Sequence, residues 1–153
     1  MAEKFTDSIS GESFETPNGL IDHYISHFVM TIKKATGAEI AISPLDEDGF
    51  TSVKRGSATV GINVDIEGET LILISKIMKL PEKNPLDCMK LLLELNFTSM
   101  SGAAFAIDKK DSAICIISRR DVANLDYAEF EDMLHSVASL ADEWDDRLVE
   151  MFA

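Results

Sequence analysis

A chain of 153 residues with 46% apolar and 27% charged side chains can bury roughly 70% of its unfolded surface and lies far from the composition of disorder. Its 27 Asp and Glu against 14 Lys and Arg leave a formal charge of −13, which repels nucleic-acid phosphates and anionic membrane surfaces and argues against both as partners. No run of about 18 apolar residues is available to span a bilayer, and the first residues lack the basic-then-apolar pattern of a secretory signal, so the expected location is the cytoplasm.

Residues 1–15 are polar with isolated apolar positions and read as a flexible N-terminal arm, followed by a single α+β domain over 16–153. Thr16-Pro17 starts a helix: the hydroxyl caps a free backbone N–H, and proline sits where its missing donor costs nothing. Ile21, Tyr24, Ile25, Phe28, Val29 and Ile32 recur at three- and four-residue steps as one buried stripe, and Gly37 ends the helix. Ile40 and Ile42 then alternate until Pro44, and Asp46-Glu47-Asp48-Gly49 is a turn. Three strands follow over 50–55, 58–66 and 70–78, the second with Val60, Ile62, Val64 and Ile66 on one face. Glu67-Gly68 reads as a tight hairpin turn in which glycine supplies the positive φ.

Asn84-Pro85 opens a second helix whose Leu86, Met89, Leu91, Leu92, Leu93, Leu95 and Phe97 encircle it. A helix apolar nearly all round needs cover on more than one side, and one sheet covers only one; a subunit partner could supply the rest. Strands over 101–107 and 113–118 form another hairpin around Asp108-Lys109-Lys110-Asp111. Asp126 caps a last helix with a single seam of Tyr127, Phe130, Leu134, Val137, Ala141, Trp144, Leu148 and Met151. Residues 121–153 carry ten acidic side chains and one basic, so its opposite face is anionic.

Signs of chemistry are sparse. His23 and His27 have the spacing of two metal ligands on a helix, but no third ligand lies near them in sequence, and they read as structural. Cys88 and Cys115 lie in apolar runs as buried free thiols, and Asn96-Phe97-Thr98 matches the glycosylation sequon without a secretory route to make it matter. Lys54-Arg55 and Arg119-Arg120 are basic pairs at strand ends, read either as solvated termini or as docking points for a carboxylate-bearing partner. Phosphate loops, nucleophile elbows and paired catalytic groups are missing, which predicts a protein that is not an enzyme and needs no cofactor or metal.

Leu92-Leu93-Glu94-Leu95-Asn96-Phe97, Gly102-Ala103-Ala104-Phe105-Ala106-Ile107-Asp108, and a last helix opening at Leu125-Asp126 and carrying Trp144 are similar to three local patterns of one family. With the element order helix, three strands, helix, two strands, helix, the chain over about 17–151 resembles the class I type III secretion chaperones of the Tir-chaperone (CesT-like) family. The resemblance implies an antiparallel sheet with helices packed on it. It implies a homodimer with Met89, Leu92, Leu93 and Phe97 of the second helix at the interface. It also implies a client, the extended segment of a secreted effector-like protein, held along apolar surface that would include Ile25, Val29, Val53 and Val60. YbjN-like proteins share this fold, which leaves a regulatory or adaptor module binding a folded partner as the alternative.

Overall fold

A computed structural model describes residues 5–98 and 102–153. The N-terminal ribbon pairs β1 (Phe5–Thr6) with β2 (Ser13–Phe14), antiparallel, ahead of α1 (Pro17–Thr36). Then come β3 (Phe50–Arg55), β4 (Ala58–Asp65), β5 (Thr70–Lys79), α2 (Pro85–Thr98), β6 (Ala104–Asp108), β7 (Ala113–Asp121) and α3 (Tyr127–Phe152). Strands β3 to β7 form one sheet in the order β3-β4-β5-β7-β6, so β3 and β6 are its edges. From α1 onward the order of helices and strands is the one the sequence predicts. Where β5 meets β7, Val122 N–H reaches Glu69 O in 2.9 Å and Leu80 N–H reaches Ser112 O in 2.7 Å, a crossed numbering that makes the pair antiparallel.

Of the expected arm, residues 5–14 form this ribbon, with Phe5 and Asp7 buried at 6% and 2% exposure where it packs on α1. Met1–Lys4 of the expected arm and Ser101 of the strand expected over 101–107 lie outside the described residues.

The local signals that set the helix ends act as expected in two cases and differently in the third. Thr16 Oγ1 accepts Gly19 N–H at 3.1 Å, and Gly37, with φ 76°, closes α1 by donating to Lys33 O. Asp126 and Glu129 form a reciprocal box, each side chain taking the other's backbone N–H at 2.7 and 3.2 Å. Asn84, by contrast, enters α2 in a left-handed conformation (φ 51°), with its carbonyl taking the Cys88 N–H.

One turn corrects the sequence reading, and the expected turn at 46–49 is present. The β4–β5 turn finds its positive φ at Glu69 (50°), whereas Gly68 supplies room: a Cβ there would stand 2.9 Å from Asp65 Oδ2. Strand β4 ends at Asp65, so Ile66 is exposed in the turn while Val60, Ile62 and Val64 are buried. In the turn before β3, Asp46 Oδ1 takes the N–H groups of Asp48 and Phe50, and Gly49 O accepts Val64 N–H at 2.8 Å. A Cβ on Gly49 would lie 2.6 Å from Val64 O, so this close approach requires glycine.

The residues gather into two compact units. The first runs up to Val53 and includes Gly61–Leu73 and Arg119–Asp132. Its centre is aromatic: Tyr24, fully buried, sits 5.8 Å from both Tyr127 and Phe130, and its hydroxyl donates to Leu125 O at 2.6 Å. The second holds Lys54–Val60, Ile74–Ser118 and Met133–Ala153. There the seam of α3 is buried from Leu134 through Leu148, Trp144 meets Phe105 edge-on at 6.1 Å, and only Met151 of the predicted seam is exposed. Cys88 and Cys115 are buried free thiols in this unit, and burial pushes both thiols up, away from thiolate reactivity.

Candidate functional site

Two apolar surfaces stand out, one in each unit. In the first unit, Asp22, Ile25, Ser26, Val29 and Met30 of α1 face Ile42 and Pro44 across a groove of about 550 Å³. The far wall belongs to the extended stretch after Gly37, which is pinned at two points: Leu45 N–H donates to Asp22 Oδ1 and Thr51 Oγ1 donates to Ser43 O, both at 2.9 Å. Ile25 is buried at the floor, Val29 is half-buried, and Met30 is 59% exposed at the rim.

The four residues expected to meet a client are therefore not equivalent. Ile25 and Val29 line this groove. Val53 and Val60 do not reach a surface: they alternate inward on β3 and β4, with 2% and 0% exposure, and belong to the core. Met30, Ile42 and Pro44 also line the groove and were not singled out: the alternation of Ile40 and Ile42 marks an extended stretch but not which element it faces.

In the second unit, Leu86, Leu93 and Phe97 are 79%, 69% and 91% exposed. Steps of seven and four residues put them on one narrow face of α2, while Cys88 and Leu92 turn inward. Of the residues expected at a dimer interface, Leu93 and Phe97 are thus outward, Met89 is half-buried, and Leu92, at 4% exposure, is a core residue of this chain. A second hollow of about 250 Å³ lies between α2 and β6, lined by Met89, Leu92, Leu93, Asn96, Phe105, Ala106 and Ile107.

Asn96 fixes that junction. Its Oδ1 accepts Phe105 N–H at 2.7 Å and its Nδ2 donates to Phe105 O at 3.2 Å, so one amide takes the place of a neighbouring strand on the edge of the sheet. Ser118 Oγ donates to Gly102 O at 2.7 Å, holding the start of the same hairpin.

The polar features are used in folding. His23 Nε2 pairs with Asp7 Oδ2 at 2.8 Å and His27 stacks on Tyr127 at 3.9 Å; among the described residues, no three potential ligands gather as a metal site. Arg120 is held by Glu129. On α3, Asp142 takes the Ser57 N–H at 3.1 Å and its hydroxyl, Asp145 takes that hydroxyl at 2.9 Å, and Arg147 lies 4.0 Å over Trp144. The Ser57 bonds hold the Asp142 carboxyl below its ordinary value. Part of the anionic face is therefore a clasp on the β3–β4 turn.

This architecture is that of the type III secretion chaperones. A chain of the ExoU–SpcU complex from the type III secretion system of Pseudomonas aeruginosa matches with a TM-score of 0.58 and 16% identity, covering 86% of this chain and 97% of that one. A chain of the ExsC–ExsE complex gives 0.57 and 17%, covering 82% and 94%, and one of the HopA1–SchA chaperone–effector complex gives 0.56 and 12%, covering 83% and 97%. At such identities the likeness is one of fold. The model of the Tir chaperone protein (CesT) family matches residues 36–145, and the chain belongs to that family. No curated protein matches it in sequence. Membership makes it a protein-binding chaperone and not an enzyme.

Proposed function

We propose that the protein is a homodimeric chaperone that holds an extended segment of a secreted effector-like client in the cytoplasm, with residues 16–153 acting as one chaperone domain. The α2 face supplies the dimer contact and the α1 groove takes apolar side chains of the client. The observation that carries this reading is the bare face of Leu86, Leu93 and Phe97. Burying a Leu or Phe side chain contributes about 1.5–3 kcal/mol, so three from one copy barely offset an association cost of about 4–15 kcal/mol, whereas three from each of two copies suffice. A symmetric pairing supplies both sets.

The client assignment is supported by the company the fold keeps. The HopA1–SchA structure is described as a chaperone–effector complex, and the ExoU–SpcU pair as a heterodimer from a type III secretion system. In this chain, an extended segment can lay alternate side chains into the groove of Ile25, Val29, Met30 and Ile42 while staying non-globular.

Light scattering on Leu93→Asp tests the dimer: the expected result is a folded monomer, and a folded dimer refutes the placement. Pull-down from the source organism's lysate tests the client. Wild type should retain a protein with an unfolded N-terminal segment, and Met30→Asp, still dimeric, should lose it.

A further inference from the structure

The ribbon of residues 5–14 is too small to hold itself. Two strands of two residues each do not fold alone in water, so its order comes from its seat on α1. That seat is Gly19 and His23, one turn apart on the helix. Phe14 lies against Gly19 so closely that a Cβ there would meet the Phe14 Cβ at 3.1 Å, and the Phe14 ring is 5.1 Å from the His23 ring.

Asp7 joins the two halves of the arrangement. One carboxylate oxygen accepts Ile9 N–H at 2.9 Å and shapes the turn; the other takes His23 Nε2 at 2.8 Å. The turn is closed by Asp7 N–H to Glu12 O and Gly11 N–H to Asp7 O, each 2.8 Å. The same residue thus folds the ribbon and ties it down.

The seat continues into the groove. Ser26, one turn beyond Asp22 and beside His23, already lines the α1 groove, and Met30 follows it at the rim. The ribbon therefore ends where the groove begins.

We propose that residues 5–14 are a detachable strap, a resident occupant of the N-terminal end of the α1 surface that opens as a unit and uncovers the Gly19–His23 seat, continuous with the groove, together with its own Phe5 and Phe14 rings. On the chaperone reading above, on which only this consequence rests, an extended client longer than the groove occupies the vacated seat.

Hydrogen exchange on the client-free full chain tests the opening without needing a client. The amides of Asp7, Ile9 and Gly11 should exchange at least about 100-fold faster than those in the middle of α1, because the strap opens without the helix. Equal protection overturns the proposal. Gly19→Ala separates strap from fold: alanine favours the helix but its methyl displaces Phe14. Strap amides should lose protection while α1 keeps or gains it, and binding of the apolar dye anilinonaphthalene sulfonate should rise at least about twofold as the seat is uncovered. Loss of α1 protection together with the strap, or unchanged strap protection and dye binding, refutes it. Asp7→Asn, which keeps the shape and removes the charge, should loosen the strap in the same direction by a smaller factor.

Discussion

Helices α1 and α2 both carry more apolar surface than the sheet covers, and they meet the excess differently. On α1, the chain's own N-terminal ribbon lies over Gly19 and His23, and the stretch around Ile42 and Pro44 rises beside Val29 and Met30. On α2, Leu86, Leu93 and Phe97 stand in solvent with no segment laid over them among the described residues. A face that the same chain covers is suited to exchange, because the cover can leave and return at no cost in association. On the dimer reading, a face that no described segment covers takes a partner that stays.

Substitutions on adjacent positions of α2 break this comparison most sharply. Leu92→Asp buries a charge in the core and should abolish cooperative folding, read as loss of the urea transition, whereas Leu93→Asp should leave the transition of the folded chain in place and change only the mass in solution. If the two behave alike, the inward–outward division of α2 is wrong. Phe97→Asp should weaken the dimer at least about 100-fold, since an aromatic anchor at the centre of an interface commonly contributes more than about 2 kcal/mol. Sedimentation over a concentration series checks it.

Removing the Asn96 side chain tests whether α2 and β6 act as one surface. Asn96→Ala leaves both backbone groups of Phe105 without their partner and should cost about 1–3 kcal/mol in urea unfolding. The strap answers to pH. Burial raises the Asp7 carboxyl, but the hydrogen bonds from His23 and from the Ile9 and Ser10 backbone outweigh it and hold the group below its ordinary 3.8. A depressed folded value means the stabilisation is present above 3.8 and disappears as pH falls through that lower value. Strap protection relative to α1 should therefore persist at mildly acidic pH and be lost only in strong acid, with Glu12 and His23 as the other titratable groups at the seat. The smallest effect belongs to Ser57→Ala, which removes the hydroxyl bonds to Asp142 and Asp145 on an exposed surface, keeps the backbone N–H bond to Asp142, and should lower the urea midpoint by less than Asn96→Ala does.

Most of the architecture was legible because each element announces itself locally. Thr16-Pro17, Gly37 and the Asp126–Glu129 pair set helix ends by satisfying backbone groups within a few residues. The alternation of Val60, Ile62 and Val64 gives a strand and its buried face. The excess apolar content of α2 was also visible, since periodicity counts how many sides of a helix are apolar. Which of those sides faces inward was not: Leu92 and Leu93 are the same residue type one position apart, and only the direction from which the rest of the unit arrives tells them apart. That Val53 and Val60 are core positions was hidden for a related reason. A valine that alternates inward on a strand has the same local sequence whether its face meets a helix or a client.

The sequence by itself determined the order of helices and strands from α1 onward, the buried stripe of α1, the seam of α3 and the need of α2 for additional cover, because these follow from spacing and from backbone groups satisfied nearby. Only the tertiary structure decided that Phe5, Asp7 and Phe14 fold back onto α1, that Asn96 serves as the neighbour of β6, and that Leu93 and Phe97 are outward while Leu92 is not. Those outcomes depend on residues distant in sequence meeting in space, and no local period encodes such a meeting.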